Sequence, residues 1–249
     1  MNITGNTIFI PGATSGIGLG LALRLHDAGN SVIIGGRRTE LLTQIADAHP
    51  GIETVRIDTA DADDVARVSA DVQNRFPDTN VLIAMAGIMR AEDLSDPAFL
   101  DTAVAEVETN ILGPLRLVAA FTKFFAAQPD GATIITVSSG LAFTPMAGTP
   151  TYSATKAAIH SFTDSMRIQF ADKGIEVLEL APPAVQTDLM PGQAEADWAM
   201  PLDDFLDEVM SLLPTATGEI LVERVRPLRF SERDGNRDTL MAALAQMGG

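Results

Sequence analysis

Residues 132–156, ATIITVSSGLAFTPMAGTPTYSATK, bring a serine, a tyrosine and a lysine into a spacing that permits acid–base chemistry. Tyr152 and Lys156 are i and i+4, so on a helix they share one face, a turn apart. A free phenol has a pKa of about 10, too high for ready proton exchange at neutral pH. A neighbouring ammonium favours the phenolate and pulls that value down. The pair is a candidate general acid/base. Ser139 can offer a neutral hydroxyl to a substrate oxygen at the same point, with Ser138 as the alternative serine. An i,i+4 pair of this kind is ordinarily a surface tyrosine beside a surface lysine. Composition weakens that explanation, because the chain has 1 tyrosine and only Lys123, Lys156 and Lys173 as lysines.

These residues need a strand and a helix to hold them. Ile134, Ile135 and Val137 after Gly131 predict a buried strand, and the Ala-rich run from Thr151, free of Gly and Pro, predicts the helix. The same alternation begins at the N-terminus. TIFI (7–10) predicts a strand running into Pro11 and the turn Gly12-Ala13-Thr14-Ser15-Gly16-Ile17-Gly18, followed by the helical pattern Leu19, Leu21, Ala22, Leu23, Leu25. Glycines let backbone N–H groups approach a pyrophosphate, and a helix N-terminus adds partial positive charge. Gly29 closes that helix and SVIIG (31–35) supplies the next strand. At its end a dinucleotide fold places an acid for a free ribose 2′-hydroxyl or arginine for a 2′-phosphate. Here stand Arg37 and Arg38, which favours NADP(H) over NAD(H).

Further on, 39–48 reads as a helix, 53–58 as a strand, a segment capped by Asp61 or Asp63 and running to Phe76 as a helix, and 80–87 as a strand. Residues 98–127 read as one long amphipathic helix interrupted at 110–114. Strands at 175–181 and 219–223 and helices at 202–213 and after Asp238 complete the chain. This rhythm means a parallel sheet wound on both faces.

Composition sets outer limits. The chain has 249 residues, 46% hydrophobic and 20% charged, with a net charge of −16, which argues against nucleic acid or an anionic membrane as partner. With no cysteine, and with His26, His49 and His160 scattered, no metal site is expected. Neither a signal peptide nor a membrane span is read, and a cytoplasmic protein is expected.

Taken together, Gly12-x-x-x-Gly16-x-Gly18, Asp58, Ala86-Gly87, Asn110, Ser139, Tyr152-x-x-x-Lys156 and Thr187 resemble the short-chain dehydrogenase/reductase family, in order and at family spacing from about residue 5 to 190. The tail GEILVERVRPLRF (218–230) is similar to the DltE-like branch. The resemblance implies one doubly wound α/β Rossmann-type domain over residues 1–249 with a seven-stranded parallel sheet and a substrate lid at about 188–213. It implies hydride transfer between NADP(H) and a carbonyl or alcohol, with Tyr152 exchanging the proton. Lys156 would lower the Tyr152 pKa and bind the nicotinamide ribose, Ser139 would hold the substrate oxygen, and Asn110 would complete a water relay behind Lys156. Asp58 and Thr59 would border the adenine, and Val185 and Thr187 the carboxamide; Thr14, Ser15, Ile17, Ala86 and Gly87 complete the expected cofactor contacts.

Four positions depart from the family pattern: Pro11 before Gly12, Ala84 and Met85 before Ala86, and Pro183 after Pro182. The leading expectation is an NADPH-dependent carbonyl reductase acting on a fairly apolar ketone or aldehyde as a homodimer or homotetramer. Leu141, Phe143, Met146, Met190, Trp198, Met200 and Phe205 are expected to line its pocket. The alternatives are a non-catalytic NADP(H)-binding sensor or scaffold, and an enoyl reductase. Pro114, which has no N–H for the Asn110 carbonyl, is expected to kink the long helix there and to leave that oxygen for a water leading to Lys156.

Overall fold

The computed structural model describes residues 1–247. Its strands are β1 (Thr7–Pro11), β2 (Ser31–Gly36), β3 (Ile52–Arg56), β4 (Thr79–Ala84), β5 (Ala132–Val137), β6 (Ile175–Leu180) and β7 (Glu219–Ile220). Among the described residues they form a 7-stranded sheet in the order β3-β2-β1-β4-β5-β6-β7, every neighbouring pair parallel. The helices are α1 (Gly16–Asp27), α2 (Thr39–Ala48), α3 (Ala62–Arg75), α4 (Phe99–Val107), α5 (Gly113–Phe125), α6 (Pro150–Gln169) and α7 (Leu202–Leu212), with a short α8 (Arg226–Arg229) and a final α9 (Arg237–Met247).

Strands this apolar must be covered on both faces. Ile8, Ile10, Val32 and Ile34 pack with Leu21 and Leu25 of α1 and with Phe205 and Leu206 of α7. The intervening residues Phe9 and Ile33, with Leu82 and Ile134, pack with Val65 and Val68 of α3 and with Leu117 and Phe121 of α5. The period of two along each strand thus sorts side chains between two cores. Strand order reverses between β1 and β4, and it is outside the carboxyl ends of strands at such a switch point that this class of sheet binds ligands.

Of the two capping aspartates read from the sequence, Asp61 starts α3, accepting the Asp63 and Asp64 N–H groups. Pro11 costs β1 no bond to β4, because their pairing covers Thr7 to Phe9 and stops before it. The final strand is shorter than expected, since only Glu179 and Leu180 pair with it before the chain turns away over Glu223–Val225.

The interruption expected at residues 110–114 is a π-helical turn. Between α4 and α5 the chain winds as a π-helix over Glu108–Leu112, closed by the Gly113 N–H to the Glu108 carbonyl. Pro114 then falls in the first turn of α5, directly after that turn. Among the described residues no helix is long and apolar enough to cross a membrane.

Candidate active site

The glycine turn leaves the end of β1 and presses against the end of β4. Gly12 donates to the Gly35 carbonyl at 2.8 Å. Its φ is +95°, and a Cβ there would lie 2.5 Å from the Ala86 nitrogen, so no other residue fits. Met85 answers one of the departures from the family pattern: its side chain closes on Gly18, where a Cβ would meet Met85 Cγ at 3.0 Å. The contact at this departure is apolar. Ser15 precedes α1 but does not cap it. Its hydroxyl instead accepts from Arg38 Nη2 at 2.8 Å, and Thr14 Oγ1 accepts from the same nitrogen at 2.6 Å. The arginine at the end of β2 is thereby laid along the glycine turn.

A cleft of about 520 Å³ runs from there across the carboxyl ends of the strands. Its first end carries Gly12, Thr14, Ser15, Gly16, Ile17, Gly18, Arg37 and Arg38, its middle Asp58, Thr59, Ala86 and Gly87, and its far end Ser139, Tyr152, Lys156, Val185 and Thr187. Asn110 lies behind the cleft with no exposure. Its Oδ1 accepts the Ile88 N–H at 2.8 Å, while Nδ2 donates to the Ile88 carbonyl at 2.8 Å and to Thr155 Oγ1 at 3.2 Å. A Cβ at Gly87 would sit 3.4 Å from Asn110 Oδ1 and 3.5 Å from Lys156 Nζ, so the two side chains face each other across that glycine.

Between the two serines the geometry discriminates. Ser138 is turned under the sheet edge and donates to Glu179. Ser139 accepts the Leu141 N–H at 3.1 Å and interacts with the Tyr152 hydroxyl. Lys156 Nζ donates to the Val137 carbonyl at 2.9 Å and lies 5.5 Å from the centre of the Tyr152 ring.

A family profile described as short chain dehydrogenase matches residues 6–198. The chain belongs to that family. Among similar proteins, the uncharacterized oxidoreductase DltE of Bacillus subtilis (strain 168) is 37% identical over 240 residues, 94% of each chain, which places this short-chain dehydrogenase in the DltE-like branch. Sulfoacetaldehyde reductase 2 of Chromohalobacter salexigens is 30% identical over 184 residues, 73% of each chain. The crystal structure of a short chain dehydrogenase from Burkholderia cenocepacia J2315 in complex with NADP superposes with a TM-score of 0.84 at 26% identity, covering 98% of this chain and 99% of that one.

The electrostatics of this short-chain dehydrogenase are set largely by burial. Burial pushes the Tyr152 phenol up, the Ser139 hydroxyl opposes that rise, and the charge of Glu106 adds to it. Lys156 is itself brought down to about 8 by burial, against the pull of Glu106.

The expected pocket residues are corrected. Phe205 is wholly buried in the core between α7 and the sheet, Met200 belongs to that core, and Phe143 lines a neighbouring cavity. Ile88, Met89, Pro183 and Leu189 line the cleft in their place.

Two features escaped the sequence reading. Glu106 sits at i−4 to Asn110, so helical periodicity alone could have put it on the same face. The second is an ion pair beneath Ser138, where His160 Nδ1 lies 2.8 Å from Glu179 Oε2. Only the register of α6 against β6 brings these residues together. Glu219 closes the group, but Arg229 Nε already donates to it at 2.7 Å.

Hydrogen bonding to Glu179 raises the His160 pKa, although burial pulls the other way. A folded-state value raised above the unfolded one stabilises fully below the unfolded pKa of about 6.5 and ceases to do so as pH rises through the folded value. His160→Gln is therefore expected to lower the urea midpoint more at pH 6 than at pH 9. Equal losses at both would dismiss the charged pair.

Proposed function

We propose that this chain is an NADPH-dependent carbonyl reductase, working reversibly as an alcohol dehydrogenase, on a fairly apolar ketone or aldehyde. The observation that carries the reading is the convergence of Ser139, Tyr152 and Lys156 at one end of a cleft whose other end holds the glycine turn and Arg38. The residues fit a dinucleotide phosphate. The first turn of α1 has no side-chain cap to occupy its N–H groups, and a guanidinium lies beside it. That group, when bound, supplies the hydride.

The protein's own residues manage the proton. Tyr152, pushed up by burial, stays a phenol at neutral pH and is set to donate to a carbonyl oxygen, the reductive direction. Ser139 orients that oxygen. Lys156 holds the ribose and, with Asn110 across Gly87, returns the proton to Tyr152. The lid reading narrows to about 188–201, because α7 packs against α1 and the sheet.

Ile88, Met89, Pro183 and Leu189 favour an apolar substrate, with adaptable methionine among them. Oxidation of NADPH across a panel of aryl ketones, alkyl ketones and charged keto acids tests the proposal. Higher catalytic efficiency on the keto acids would reject the substrate class, and no turnover with any carbonyl would reject the activity. Exposed Leu100, Val104 and Val107 form an i, i+4, i+7 stripe on α4, and Ile168 of α6 is exposed as well. They support a homodimer or homotetramer through these helices, which a monomer mass by light scattering would refute.

A further inference from the structure

Glu106 has no solvent exposure and stands in α4 one turn ahead of Asn110. The two side chains pin the segment after Gly87: Asn110 Oδ1 accepts the Ile88 N–H and Glu106 Oε1 accepts the Arg90 N–H, both at 2.8 Å. Glu106 Oε2 is buried with no hydrogen-bond partner, as is Oε1 of Glu92, whose other oxygen accepts the Thr151 N–H at 2.8 Å. A buried carboxylate with an idle oxygen is costly unless a countercharge compensates.

The charged and titratable groups that face it are Arg90 and Glu92 from the segment after β4 and Lys156 and Tyr152 from α6. Glu92 has the wrong sign; of the two cations Arg90 acts on Glu106 more than Lys156 does, but its side chain is exposed. Lys156, 5% exposed and close to Gly87 beside Asn110, is the buried one of the two cations whose charge acts on Glu106.

We propose that Glu106 is a positioning residue of the acid–base centre, the buried countercharge that keeps Lys156 an ammonium. The inference rests on the reading of Tyr152 and Lys156 as the acid–base pair. Burial raises Glu106 to about 7, the Arg90 N–H opposing the rise and Glu92 adding to it, while burial lowers Lys156 to about 8. Carboxylate and ammonium therefore coexist best between about 7 and 8. The same carboxylate favours the protonated form of Tyr152.

With Lys123, Lys156 and Lys173 the only lysines, 13C labelling of lysine side chains gives few NMR signals, and Lys156→Ala identifies the relevant one. In the wild-type protein that signal is expected to titrate near 8, with a second inflection near 7 from Glu106. Glu106→Gln keeps the acceptor for the Arg90 N–H and nearly the same volume. It should abolish the inflection and lower the Lys156 midpoint by roughly one pH unit. The alkaline limb of kcat/KM should move down with it. An unchanged Lys156 midpoint overturns the proposal. Glu92→Gln, which removes only the like charge, should move the inflection to lower pH; if Glu106→Gln fails to fold, an unmoved inflection in Glu92→Gln overturns it instead. If these shifts occur but no carbonyl is turned over, the acid–base reading fails and the charge coupling stands.

Discussion

Tyr152→Phe is expected to lower kcat by roughly 10²–10⁴-fold, the usual contribution of a positioned general acid. The change deletes the proton donor and keeps the ring that closes the end of the cleft, so NADPH affinity should stay within about twofold of wild type. Lys156→Ala should behave differently. It removes the group proposed to hold the ribose together with the cation beside Tyr152, so affinity and turnover should fall together. Steady-state kinetics with a ketone substrate, alongside fluorescence titration of NADPH, separates the two patterns. Turnover near wild type in the Phe variant would remove Tyr152 from the mechanism.

The second large effect concerns the choice of cofactor. Arg38 is fixed by Thr14 and Ser15 beside the start of α1, and Arg37 stands next to it at the cleft. A hydrogen bond to a charged group contributes about 1.5–3 kcal/mol, so Arg38→Ala is expected to weaken NADPH by roughly 10- to 100-fold and to change NADH little. Thermal shifts report this directly, because a ligand at about a hundred times its dissociation constant stabilises a fold by roughly 2.7 kcal/mol. Wild-type protein should shift more with NADPH than with an equal concentration of NADH, and the difference should shrink in the variant. A larger wild-type shift with NADH would overturn the assignment of both arginines.

What the sequence disclosed was what is local. The glycine turn and Tyr152-x-x-x-Lys156 are complete within a few residues, so the spacing that performs the chemistry is also the spacing that can be read. Strand and helix alternation follows from periodicity in the same way, and α2 was legible to its end residues. Where distant segments meet, the reading failed. Phe205 looked like a pocket residue because its helix follows the segment near the cleft, yet the helix turns that face onto α1 and the sheet. The burial that raises the Tyr152 pKa was not legible, because a tyrosine's neighbours can be listed from a sequence and its burial cannot. Glu106 was passed over as one more acid on an amphipathic helix. Only tertiary packing shows that its face is the inner one.

The wide turn at Glu108–Leu112 also reconciles two demands on a single length of chain. Ahead of it, Glu106 and Asn110 must look toward the segment after Gly87; behind it, Leu117 and Phe121 must look into the sheet. A regular helix advances about 100° per residue, and its phase would satisfy one demand at the expense of the other. The π turn absorbs the extra residue and resets that phase. Residues 108–112 thus behave as an angular spacer: deleting one of them other than Asn110 would leave α5 helical, yet would rotate the proton-handling face and the core face out of step by about a quarter turn.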